Sequence, residues 1–181
     1  MIVFQAFLIA SLLLTLWIYL PIFWGAPWVP VSLRAANKML VMADVQPGQT
    51  VVDLGAGDGR LIFLAARKFK ARAIGVEIDP LRCLAANFGI LVLGLRGKAK
   101  VHWGNMHRFS VAGADVVTLY LLQGTNQVLK ENLEKSLRPG AKVVSHTFSM
   151  SGWTPVALDD RNGIFVYEIG NTEGEINTKF Y

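Results

Sequence analysis

The chain has 181 residues, 52% of them apolar and 17% charged, with 18 Lys+Arg against 13 Asp+Glu. That length houses one domain with a sizeable core, and the composition excludes a disordered, a collagen-like or a polytopic membrane protein. The single cysteine, Cys83, excludes an intramolecular disulfide framework and a Cys-rich zinc site.

Residues 1–24 hold 20 apolar side chains and no charge, and the first charged residue is Arg34. As a helix, residues 2–20 reach roughly 29 Å, about the hydrocarbon thickness of a bilayer. Trp17, Tyr19, Trp24 and Trp28 gather at one end, as in an aromatic belt. A signal peptide would carry a basic start and a shorter apolar core, and both are missing. Arg34 and Lys38 follow the segment, so the positive-inside rule puts the rest of the chain on the cytoplasmic side, or its organellar equivalent. The expected organisation is a single-pass anchor at 1–24, a linker at 25–32 stiffened by Pro27 and Pro30, and a catalytic-sized domain at 33–181.

Within that domain, 33–43 reads as an amphipathic helix closed by the Pro47-Gly48 turn. Strands at 50–54 and 73–77 alternate with helices at 60–69 and 80–93. Further strands are expected at 100–103, 115–120 and 141–147, with a helix at 126–137. The strand runs lack strict alternation, as parallel strands buried on both faces do, so the pattern predicts a doubly wound, mostly parallel α/β sheet. Residues 156–158 and 164–169 read as a hairpin, with Asp159 and Asp160 as turn residues.

The strongest chemical signal lies where the first strand meets its helix: Asp53, Gly55, Gly57 and Gly59, then Arg60. Glycines let a backbone turn tightly against a ligand, and a helix amino terminus presents free N–H groups. Dinucleotide binding asks for G-x-G-x-x-G, but Arg60 stands at the third glycine. Asp53 would repel a pyrophosphate and suits a ligand with an ammonium group. At the end of the second strand, Glu77 can accept both hydroxyls of a ribose.

Together these motifs resemble a class I S-adenosylmethionine-dependent methyltransferase. The resemblance implies that Asp53, Gly55 and Gly57, with Ala56 and Gly59 of the same loop, hold the methionine moiety. Asp58 reads as a turn or capping residue that approaches the cofactor. Glu77 takes the ribose diol, and Ile78 lies against the adenine. Asn105 stands where the family often has an acid that meets the adenine amino group. Removal of the Glu77 side chain is then expected to weaken cofactor binding and leave the fold intact.

Residues 30–153 resemble a narrower family, through the runs at 117–123, 129–140 and 144–155. It is that of small membrane-anchored methyltransferases, including the mitochondrial lysine methyltransferases of the ATP synthase c-subunit and the adenine nucleotide translocase. The resemblance implies a protein-lysine N-methyltransferase acting on a membrane-associated protein. A lipid or small-molecule methyltransferase and a non-catalytic cofactor-binding adaptor stay open beside it. Tyr120, Gln123 and His146 are the substrate-side candidates; Gln123 replaces a proline common in the family. His102 and His107 have no third ligand nearby, so no metal is expected. Ten basic residues between Arg60 and Arg108 face only Glu77 and Asp79, which suits an anionic lipid surface, with nucleic acid third for want of a binding motif.

Overall fold

The computed structural model describes residues 2–19 and 29–171; residues 1, 20–28 and 172–181 lie outside the description, as do the side chains of 14 and 17–19. The strands are β1 (Thr50–Leu54), β2 (Arg72–Glu77), β3 (Ala99–Trp103), β4 (Val116–Leu119), β5 (Lys142–His146), β6 (Ala157–Asp159) and β7 (Ile164–Glu168). The helices are α1 (Ile2–Tyr19), α2 (Leu33–Met42), α3 (Arg60–Lys68), α4 (Pro80–Val92) and α5 (Gln123–Ser136). All seven strands join one sheet in the order β3-β2-β1-β4-β5-β7-β6. The first five run parallel, and β7 is antiparallel to both β5 and β6. The order reverses between β1 and β4, so the carboxyl ends of these strands flank a crevice in which ligands of doubly wound sheets bind.

Apolar side chains of the central strands divide between two faces. Val51, Ala73 and Val101 pack under α2, α3 and α4 with Met39, Leu40, Ile62 and Ile90. Val52, Leu54, Val117 and Leu119 pack under α5 with Leu129 and Leu133. Burial on both sides is why these strands show no alternation in sequence.

One expectation needs correction, and two others gain detail. The helix expected at 126–137 begins at Gln123, after an extended Leu122 that supplies no side-chain cap. Gly124 reads as a helix breaker, but burial of Thr125 and Asn126 draws the first turn into the fold. Asp159 ends β6 and holds the following turn, its Oδ1 accepting from the Asn162 N–H at 3.1 Å, and it is also buried and pairs with Lys38 of α2 at 3.3 Å. Finally, among the described residues no helix is long and apolar enough to cross a membrane. The expected belt residues Trp24 and Trp28, and most of the linker, lie outside the described residues.

Gly75 joins this packing to the crevice. A Cβ there would stand 2.7 Å from the Ala56 Cβ and 3.0 Å from Val101 Cγ2. Gly75→Ala is therefore expected to lower stability by about 1–3 kcal/mol through overpacking. Urea titration checks this as a lower midpoint with an unchanged slope.

Candidate functional site

β1 delivers Asp53 to the crevice, and β2 delivers Glu77 beside it. Asp53 is 7% exposed, and its Oδ1 accepts a hydrogen bond from the hydroxyl of Thr118 at 2.7 Å. Thr118 is its register partner on β4, so the two strands that flank the crevice are joined at this point. Glu77 is 6% exposed, and its two carboxylate oxygens accept from two different loops. Oε2 takes the Gly57 N–H at 2.8 Å and Oε1 takes the Asp79 N–H at 2.9 Å. Gly55 and Gly57 hold φ of 88° and 55°, left-handed values that favour glycine. A Cβ at Gly55 would also meet Leu121 Cδ2 at 2.9 Å. Gly59 caps α3 without a side chain, and Ala56 is buried against Gly75.

Asp58 is half-exposed and forms an ion pair with Arg60, whose guanidinium also donates to Val31 O at 2.9 Å. Burial works against ionisation of Asp58, but the hydrogen bonds and charge of Arg60 outweigh it and hold the carboxyl below its ordinary pKa. At Asp53 the balance is reversed. Burial, only partly offset by the Thr118 hydrogen bond and reinforced by the Glu77 and Asp58 charges, pushes its pKa up to about 7. Three carboxyl groups thus share one crevice, an arrangement relieved by a cation.

Ile78 is partly exposed, and its carbonyl accepts from the Trp103 indole N–H at 2.9 Å. Asn105 follows β3 and uses its Oδ1 to accept from the His107 N–H at 2.9 Å, capping a short 3₁₀ turn. Its amide group still offers donor chemistry on this side of the crevice. Of the substrate-side candidates, Tyr120 and His146 are brought together, their rings edge-to-face with centroids 4.5 Å apart. Burial lowers the His146 pKa, partly opposed by a backbone hydrogen bond with Asn162, which favours the neutral imidazole. Gln123 sits apart at the start of α5, donating to Ser151 Oγ at 3.1 Å. Among the described residues no group of three His, Cys, Asp or Glu is placed to hold a metal.

The geometry fits S-adenosylmethionine: buried acids for a ligand with ammonium and sulfonium groups, a glycine-rich loop, and a helix amino terminus at Gly59. The model of the ANTKMT methyltransferase domain matches residues 53–157. The chain belongs to this methyltransferase family. A protein-lysine N-methyltransferase of Saccharolobus islandicus (strain REY15A) is 40% identical over 151 residues, spanning 80% of this chain and 94% of that protein. The adenine nucleotide translocase lysine N-methyltransferase of Mus musculus is 28% identical over 79% of this chain. The ATP synthase c-subunit lysine N-methyltransferase of Homo sapiens is 26% identical over 82% of it. The chain spans only 63% and 64% of these two relatives' lengths. Among solved structures, an RNA methyltransferase from Salinibacter ruber in complex with S-adenosyl-L-homocysteine superposes with a TM-score of 0.75 at 36% identity. That match covers 82% of this chain and 99% of the other. The chain is an S-adenosylmethionine-dependent methyltransferase with a class I fold.

Three contributors carry no motif in the sequence. Thr118 is a lone hydroxyl in the apolar run of β4, and that interruption was its only signal. Thr147, a β-branched residue with φ of 72°, is held beside His146 by donating its N–H to Gly163 O at 2.7 Å. Buried Asn126 fixes the same turn by donating to Ser145 Oγ and Phe148 O.

Glu77 also corrects an expectation, because the fold at the crevice depends on it. Glu77→Ala is expected to free two backbone donors and destabilise the protein as well as weaken S-adenosylhomocysteine binding. Glu77→Gln keeps the shape and separates the two effects in calorimetry and melting. The Asp53 pKa sets a pH dependence. A cationic ligand selects the ionised carboxylate, so affinity should rise between pH 6 and 8 by up to about tenfold per unit below the pKa, with proton release. Without ligand the sign is opposite: the protonated group favours folding at low pH, and that contribution is lost as pH climbs from 3.8 to about 7. Calorimetry in buffers of different ionisation enthalpy checks this, and Asp53→Asn should remove the pH dependence.

Proposed function

We propose that this methyltransferase is a protein-lysine N-methyltransferase acting on a membrane-associated protein. The observation that carries the reading is the Tyr120–His146 pair at the carboxyl ends of β4 and β5, on the crevice edge shared with Asp53. When bound, S-adenosylmethionine supplies an electrophilic methyl on a sulfonium, transferred in line to an amine lone pair as the bonding pair leaves on sulfur. A lysine with pKa about 10.4 must first lose a proton, a cost of roughly 4–5 kcal/mol at neutral pH. The neutral His146 suits the departing proton, and the Tyr120 ring gives a face against which an ammonium rests. The named activities of the Saccharolobus and mammalian relatives support the lysine.

The Salinibacter protein's name raises RNA as a second substrate class. Exposed Arg72 and Lys98 lie at the amino ends of β2 and β3, whereas Glu77 ends β2 roughly 17 Å away along the strand. A backbone bound there would not reach the methyl group, which favours the amine.

Membrane attachment belongs to the same proposal, with the catalytic domain on the cytoplasmic side. The described side chains of α1 are exposed and uncharged, from Ile2 at 81% to Leu16 at 46%. Val31, held by Arg60 beside the cofactor loop, follows Tyr19 by twelve residues and so lies within about 43 Å of the end of α1. The tether keeps the crevice near the membrane.

Incubating native membranes with methyl-labelled cofactor and the full-length enzyme tests this. Label in lysine of a membrane protein is the expected outcome; label in RNA or in the lipid extract overturns it. A chain beginning at Gly25 should keep its S-adenosylhomocysteine affinity and methylate that protein about tenfold or more slowly, because shared confinement is lost.

A further inference from the structure

Helix α4 is apolar on both of its faces. Its inner side is set by Cys83, Ala86 and Ile90, all buried against the sheet. On its outer side Leu81, Leu84, Phe88, Leu91 and Val92 are 45–68% exposed. At 100° per residue these five fall within an arc of about 120°, opposite the buried face. A helix apolar all round belongs in a core or against a bilayer, yet this one covers the edge of the sheet with one side open. Trp103, 70% exposed, adds a sixth large side chain where β3 ends, its indole N–H held by Ile78 O.

Charge identifies what fits this face. Arg96, Lys98 and Lys100 follow the carboxyl end of α4, and with Arg72 they line one groove of about 500 Å³ that holds no acidic residue. All four are exposed, and none enters an ion pair among the described residues. An apolar stripe with cations at its flank and a tryptophan at its border is the pattern of a helix lying in the interface of an anionic membrane. A second copy of this surface would bring no carboxylate to the cations, because α4 carries none and the adjoining Glu77 and Asp79 are buried.

We infer that the outer face of α4, with Trp103 and the Arg72–Arg96–Lys98–Lys100 cluster, lies on an anionic phospholipid surface. This deepens the membrane reading above and rests on it for bringing the domain to the bilayer. Because α4 runs antiparallel to the strands, the sheet then lies along the membrane. The cofactor crevice opens sideways, and it accepts a lysine presented at headgroup level.

The test uses the full chain carrying Leu84→Cys with an environment-sensitive fluorophore, Cys83 being buried. Val128→Cys on the exposed side of α5 serves as the control. Each is reconstituted with phosphatidylcholine vesicles, with or without phosphatidylglycerol. The expected result is co-sedimentation together with a blue shift of the Leu84 probe. The shift should be confined to anionic vesicles, reversed by high salt and absent at Val128. Arg96→Glu, Lys98→Glu and Lys100→Glu combined should weaken the shift on the order of a hundredfold in lipid titration while the chain still sediments. Sedimentation with a watery Leu84 probe overturns the α4 inference and leaves the N-terminal attachment standing. No sedimentation overturns both. A shift that appears with protein concentration and without lipid assigns the face to a second copy and overturns the inference, as does an equal shift at Val128.

Discussion

A buried carboxylate that must find hydrogen-bond donors organises the crevice. Both Glu77 oxygens accept backbone N–H groups, Gly57 from the β1–α3 loop and Asp79 from the β2–α4 junction. An ionised group in this position is tolerable only while such donors surround it. Asp79 in turn caps α4 by accepting from Leu81 and Arg82, so the same chain of bonds fixes where that helix starts. The loop cannot relax toward solvent without stranding the charge. Two loops are thereby held in one geometry before any ligand arrives, which is the preorganisation a positioning enzyme needs.

That arrangement has a cost at Asp53. Burial beside Glu77 and Asp58 raises its pKa, and the Thr118 hydrogen bond recovers only part of the loss. A cationic group bound there offsets this repulsion, so the burial that raises the Asp53 pKa also favours a positively charged ligand. Tight packing at Gly55 and Gly75 holds the cofactor loop against the sheet, since neither position has room for a Cβ.

The features on which the membrane proposal rests sit at both margins of this core. The chain enters beside the cofactor loop, where Arg60 grips Val31, and α4 leaves its outer apolar face open on the far edge of the sheet. The outer face of α4 is not required by the fold itself. Leu81, Leu84 and Phe88 contribute nothing to the core beneath α4, which Cys83, Ala86 and Ile90 already complete.

The strand–helix order and the motif were legible in the residues alone, because unalternating apolar runs and a glycine-spaced turn are local signals. β1 and the start of α3 fall where the pattern put them. Asp53 and Glu77 announced themselves as acids at strand ends. What the sequence could not carry was pairing across distance. Thr118 meets Asp53 only because β4 lies beside β1, although the two are 65 positions apart in the chain. Tyr120 meets His146 only because β4 adjoins β5. Asp159 became a buried ion-pair partner of α2 as well as a turn residue for the same reason. Composition could count the cations between Arg60 and Arg108, but only the fold set four of them beside the open face of α4. Local propensity chooses elements, whereas sheet order chooses neighbours, and a site is made of neighbours.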